Sequence, residues 1–246
     1  MNPLFRAVGL LLLGSFSAIK AQSPELVIAI DPGHGGRENS GRMEDRTLSS
    51  ANNAKTPSGV LEKTLTLELS KQLADALQSV AAENHLRVKV LLTRDSDENP
   101  DFAARAKRCL NRGNVPSAIV SIHFNALSTH SAKGSLAMIA AADHNPHFAR
   151  DKSFADRLAQ AASRAVSKFV PDSRARETIT DSHLHGGKGS NFFFQLQKIP
   201  ELRAVPACFL EVEFIDREDV DRLLIQRRSE SFPKIAREIA HALLIR

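Results

Sequence analysis

Leucines at Leu61, Leu65, Leu69, Leu73 and Leu77 recur every fourth residue, with Val80 extending the row, a spacing that predicts an amphipathic helix. Phe154, Leu158, Ala161, Ala162, Ala165, Val166 and Phe169 repeat at the same period and predict a second long helix from Ser153 to Val170. A shorter helix follows from Phe102, Ala106, Cys109 and Leu110, closed by Gly113-Asn114, and a last one from Ile235, Ile239 and Leu243 within about 232–244. Between these lie short apolar runs with the length and composition of strands: 26–30, 87–92, 118–122, 135–139 and, after Pro206, 207–210. Residues 192–196 predict a further short element before Pro200. The polar stretches 37–59 and 171–190 show no sustained period and are expected as loops, the second of them mobile. Strands alternating with helices give an α/β fold, a single domain with a mostly parallel sheet and helices on both faces.

Composition refines this picture at the amino terminus. Residues 1–21 carry Arg6, the apolar stretch 7–13 and then small residues, and they resemble a secretory signal peptide too short in its apolar part to span a bilayer comfortably. The expected organisation is a leader over 1–21 and one domain over 22–246. Export to the periplasm or cell envelope follows, with no stable membrane insertion after processing. A retained amphipathic anchor is the alternative. The formal charge of +5 falls by two with Arg6 and Lys20, and no long basic run remains, so nucleic-acid binding is not indicated. Cys109 and Cys208 sit in apolar contexts and read as free buried thiols, a disulfide being the alternative that export permits. Without Trp or Tyr, the chain has only Phe for stacking on sugars, which disfavours a carbohydrate-binding module.

Three expected strands end at groups able to bind a metal or move a proton: His34, His123 and Glu211. Parallel topology brings such ends to one sheet edge, where active sites of open α/β sheets gather. Glu62 opens the leucine-rich helix near the same edge. Two imidazoles and a carboxylate form a ligand set for catalytic zinc, and a remaining carboxylate then serves as a general base. Each residue also has a plainer reading: His34 as a turn residue, Glu62 as a favourable charge at a helix start, and His123 as a satisfied core histidine. Glu211 and Glu213 resist one, because acids flanking a buried strand need partners or a cation.

The segments Asp31-Pro32-Gly33-His34-Gly35-Gly36, Leu61-Glu62-Lys63, Thr93-Arg94, 121–126 from Ser121 to Ala126, and 206–215 from Pro206 to Ile215 occur in an order that resembles the zinc-dependent N-acetylmuramoyl-L-alanine amidases. The resemblance spans about residues 26–225. It implies that His34, Glu62 and His123 hold zinc and that Glu211 is the catalytic acid/base. The implied substrate is peptidoglycan, cut between the lactyl group of muramic acid and L-alanine. Some members carry a self-inhibiting helix displaced by a protein activator; the polar 171–190 segment, with His183 and His185, does not suit that role, and any activator is unidentified.

Two departures matter. Glu213 stands where the family usually has glycine, and alternation along a strand points Glu211 and Glu213 to the same side. Glu213 is therefore expected either to tune the base or to fill substrate space. Asp216-Arg217 also replaces the usual Ser-Asn. Asn125 orients the site or merely ties down a loop. Two other readings stay open: a catalytically silent peptidoglycan-binding protein that keeps the zinc scaffold, and a zinc hydrolase of another amide bond.

Overall fold

The computed structural model describes residues 24–51, 54–110 and 114–245. The expected leader over 1–21 and Gly113 of the helix-closing pair lie outside the described residues. Six strands form one sheet: β1 (Glu25–Pro32), β2 (Arg87–Leu92), β3 (Ala118–Asn125), β4 (Leu136–Ile139), β5 (Ile179–Thr180) and β6 (Ala207–Phe214). Their spatial order is β2-β1-β3-β6-β4-β5. Pairings are parallel throughout except between β4 and β6.

Alternation along the central strands divides the interior into two cores. Ile28, Ile30, Val120, Ile122, Leu210 and Val212 face α1 (Glu62–Glu83), α3 (Phe148–Val166) and α6 (Arg228–Leu244). Val27, Ala29, Ile119 and Phe209 face α2 (Phe102–Arg108) and α4 (Asn191–Lys198) on the other side. The leucine row of α1 is fully buried at Leu65, Leu69, Leu73 and Leu77. At about 1.5–3 kcal/mol for each buried side chain, that face alone fixes the helix on the sheet. The α/β class, the two-sided layering and the mainly parallel sheet are those that the sequence pattern predicts.

Several boundaries differ. Residues 171–190 are not featureless: they contain β5 and a turn of 3-10 helix over Asp181–Gly187. Asp181 organises that segment, its buried carboxylate accepting from the backbone N–H groups of Ala141 (2.9 Å) and Ser190 (2.6 Å). The last helix starts earlier than expected, at Arg228, with Pro233 inside it. Before it, α5 (Glu218–Val220) runs into a π turn over Asp221–Ile225. Cys109 and Cys208 are free, and they lie in opposite cores, which removes the disulfide alternative. No helix among the described residues is long and apolar enough to cross a membrane.

Candidate metal centre

At the carboxyl end of β1 the chain turns sharply through Gly33, His34, Gly35 and Gly36. His34 adopts a left-handed φ of 58°, uncommon for a residue with a side chain and found where the surroundings enforce it. Gly33 is required for a different reason. A Cβ there would stand 2.4–2.6 Å from ring atoms of His123, so a methyl group would push the imidazole away. Gly35 combines both demands, with φ of 132° and a Cβ position only 2.0 Å from the Glu98 carbonyl oxygen.

Two buried arginines hold this turn from beneath. Arg105 donates to the carbonyls of Pro32 (2.8 Å), His34 (2.6 Å) and Pro100 (2.9 Å), and pairs with Asp31 at 2.9 Å. Arg94 donates to the carbonyls of Pro32 (2.9 Å), Gly33 (2.9 Å) and Lys63 (2.8 Å). Lys63 belongs to the first turn of α1, so Arg94 ties the histidine turn to the helix carrying Glu62. Burial and the neighbouring Arg105 push the Arg94 guanidinium down to about 10. Asp31 also accepts from Ser121 (2.6 Å) and Thr93. Burial works to raise its pKa, but the Arg105 charge and these hydrogen bonds outweigh it and hold the carboxyl below its ordinary value.

Above this platform His34, Glu62 and His123 converge. One ligand atom from each lies within 4.8 Å of the others. Glu62 Oε2 is 3.2 Å from His34 Nε2, and Oε1 is 3.2 Å from His123 Nδ1. Glu62 also accepts from the backbone N–H groups of Phe124 (3.0 Å) and Ala54 (3.2 Å). Burial raises the Glu62 pKa, yet the hydrogen bonds from His123 and His34 prevail and keep it far below the carboxylate range. For His123, burial dominates and lowers the pKa, favouring a neutral ring with a lone pair to offer. A buried carboxylate between two imidazoles, with no lysine or arginine bonded to it among the described residues, suits a divalent cation. The donor types are those of zinc.

Glu211 lies beside this group, paired in register with His123 across β3 and β6. Its Oε2 is buried and makes no hydrogen bond among the described residues. Burial and the negative charge of Glu62 raise its pKa well above the ordinary value. Glu213 lies where the register of β6 against β3 is interrupted. His123 pairs with Glu211 but Asn125 pairs with Phe214, so β6 carries an extra residue in a bulge. The Glu213 carboxylate accepts from the backbone N–H groups of Gly134 (2.6 Å) and Phe214 (2.8 Å) and from Ser173 Oγ (2.5 Å). It thereby anchors the segments that carry Gly134 and Ser173. Asn125 ties down its own loop, accepting from the Ala126 N–H at 2.8 Å.

The four residues singled out by sequence thus gather at one edge, while His183 and His185 are exposed and stand apart. Sequence reasoning passed over Asp31 and Arg105 as the support of the histidine turn. Arg105 sits inside an expected helix whose apolar period otherwise marks the core, and a charged residue at a buried position was the available signal.

Comparison with known proteins bears on the same region. A family profile described as N-acetylmuramoyl-L-alanine amidase matches residues 28–244. No curated protein matches. Among solved structures, the N-acetylmuramoyl-L-alanine amidase AmiC2 of Nostoc punctiforme is 23% identical with a TM-score of 0.58, covering 89% of this chain and 95% of that one. An N-acetylmuramoyl-L-alanine amidase from Clostridium difficile is 23% identical with a TM-score of 0.60, covering 90% and 96%. The CwlD amidase from Clostridioides difficile, solved in complex with the GerS lipoprotein, is 18% identical with a TM-score of 0.58, covering 89% and 96%. At these identities the structures establish a shared fold.

Proposed function

The chain belongs to the N-acetylmuramoyl-L-alanine amidase family, and from that premise we propose that it is an exported zinc-dependent peptidoglycan hydrolase. The bond cut is the amide joining the lactyl group of N-acetylmuramic acid to L-alanine of the stem peptide. What carries the reading is the juxtaposition of His34, Glu62 and His123 with a carboxyl group, Glu211, that has a buried oxygen without a partner among the described residues.

His34, Glu62 and His123 would hold the zinc. Bound there, zinc supplies Lewis acidity that polarises the amide carbonyl and lowers the pKa of a water toward about 7. Glu211 takes the proton of the attacking water on a carboxylate oxygen and returns it to the nitrogen of the departing L-alanine. Arg94 and Arg105 keep the His34 turn in its strained form, so the site need not reorganise at each turnover.

Residues 1–21 would serve as the leader and 22–246 as the catalytic domain, placing the enzyme in the periplasm or cell envelope with peptidoglycan as its partner. The alternative of a silent wall-binding protein drew on Glu213, whose carboxylate is committed to Gly134, Phe214 and Ser173. The deciding experiment is mass spectrometry of products from isolated peptidoglycan, with and without a chelator. Free peptides beginning with L-alanine and intact glycan strands are expected. Glu211→Gln should abolish their release while metal analysis still finds about one zinc per chain; unchanged release from that variant would overturn the assignment.

A further inference from the structure

The surface opens into a cleft of about 810 Å³, bordered by Lys55, Thr56, His130, Asp216, Arg217 and Arg222 among others. Its walls leave from the elements that carry the site. Lys55 follows Ala54, whose N–H donates to Glu62. His130 lies on the loop after β3, and Asp216 lies just past the end of β6, where the Ile215 N–H is bonded to the Asn125 carbonyl at 2.9 Å. The segments that form the cleft thus continue directly from the segments that carry Glu62, His123 and Glu211.

Most of the charge in these walls is already spent within the protein. Asp216 Oδ2 pairs with His130 Nδ1 at 2.9 Å. Asp219 pairs with Arg217 at 2.9 Å and Lys133 at 2.5 Å, and Arg217 donates in addition to the His130 carbonyl at 2.8 Å. Lys55 and Arg222 are exposed and have neither an ion pair nor a hydrogen bond among the described residues. Glu218 is the remaining wall acid without an ion pair among the described residues, against the two exposed cations Lys55 and Arg222. The Asp216 side chain, only 7% exposed, keeps one further capability. Its Oδ1 is buried and has no partner among the described residues, an unused acceptor for an N–H.

We propose that this cleft is the subsite for the peptide portion of the substrate, with Lys55 and Arg222 binding a peptide carboxylate. The inference rests on the amidase reading above. On the glycan side of the scissile amide the groups are hydroxyls and acetamides, because the lactyl carboxyl is itself consumed in the amide. Carboxylates occur on the peptide side, so two free cations discriminate between the two ends and fix which way the substrate lies. Arginine offers a fork that matches a carboxylate, and lysine adds a point charge. The departure from the family's Ser-Asn to Asp216-Arg217 falls in this wall: Arg217 and Asp219 occupy each other, and Asp216 holds His130 against the same loop.

The test uses two synthetic muropeptides that differ only in whether the residue after L-alanine carries a free carboxylate or its carboxamide. The wild-type enzyme should show KM about tenfold lower for the acid, the size of effect expected from one charge-assisted contact. Lys55→Glu with Arg222→Glu should raise KM for the acid about tenfold, hold kcat within about twofold and erase the preference. Circular dichroism and zinc content verify that this variant is folded and loaded. Equal KM for both substrates in the wild type, or a change in kcat alone in the variant, would overturn the subsite. Calorimetry of the free acidic peptide separates the two proposals. Charge-dependent peptide binding without cleavage would sink the amidase reading and keep the subsite, whereas cleavage with charge-independent binding would do the reverse.

Discussion

Replacing Arg105 with methionine tests whether the buried ion pair under the histidine turn is the element that holds it. Arg105 and Asp31 are each about 1% exposed, and the guanidinium also satisfies the carbonyls of Pro32, His34 and Pro100. Methionine fills similar volume but leaves a buried carboxylate without its cation, a change that costs about 3–5 kcal/mol. For a chain of this size each kcal/mol moves Tm by about 2–4 °C, so a fall of about 6–20 °C is expected. The sign with pH is specific. In the wild type the Asp31 pKa is lowered, so its contribution is complete above the ordinary aspartate range and is lost as pH falls through the native value. In the variant burial is no longer opposed by Arg105 and raises the Asp31 pKa, so protonation relieves the native state. The gap between wild type and variant should therefore narrow as pH falls from about 7 to about 4.5. Urea unfolding of chelated protein at both pH values measures it without a contribution from metal release. A loss below about 1 kcal/mol, or the same loss at both pH values, would refute the reasoning.

Gly33→Ala should leave the fold intact but weaken zinc binding by at least tenfold, since the new methyl group would stand 2.4–2.6 Å from the His123 ring; competition with a chelator reads the affinity, and wild-type affinity would contradict the close approach. Glu213→Gln keeps an acceptor for Gly134 and Phe214 and can donate to Ser173 Oγ, so activity and zinc content should hold. Burial raises the Glu213 pKa from 4.5, so the wild type loses stability as pH rises from there through the native value, while glutamine does not titrate. The Tm difference should move in favour of the variant between about pH 4 and 8, and a difference independent of pH would count against a buried, titrating Glu213.

The parts of the fold legible in the sequence are those where one periodicity runs unbroken. The leucine row of α1 and the apolar runs of β1, β2 and β3 say which side of each element is buried, and the strand ends then place His34 and His123 together. The bulge in β6 is invisible to such reasoning. Alternation assumes one residue for one residue across a strand pair, and an extra residue between Glu211 and Phe214 breaks that count without any change in hydrophobicity. Asp31 was hidden differently: it reads as part of the turn that follows β1, whereas its carboxylate points into the protein to meet an arginine from α2. Contacts between distant polar residues leave no period. The 171–190 segment likewise takes its shape from Asp181 caps and a two-residue strand, features too short for a pattern to register.

The reversed direction of β4 has a consequence for how the metal-bearing edge is bordered. Because β1, β3 and β6 run one way, the connections leaving them emerge at the metal-bearing edge. β4 runs opposite to β6, and β5 follows β4, so the connections entering these two strands arrive at that same edge. One antiparallel pairing thus brings one additional loop to that edge, around residues 171–178, and turns the connection that leaves β3, residues 126–135, straight back into β4; neither carries His34, Glu62 or His123. His130 and Ser173 lie on them. Such a layout separates the two tasks at one edge: the turn after β1 and the start of α1 carry His34 and Glu62, while the 126–135 and 171–178 loops, held to β6 through Gly134 and Ser173, border the same edge without contributing to that group.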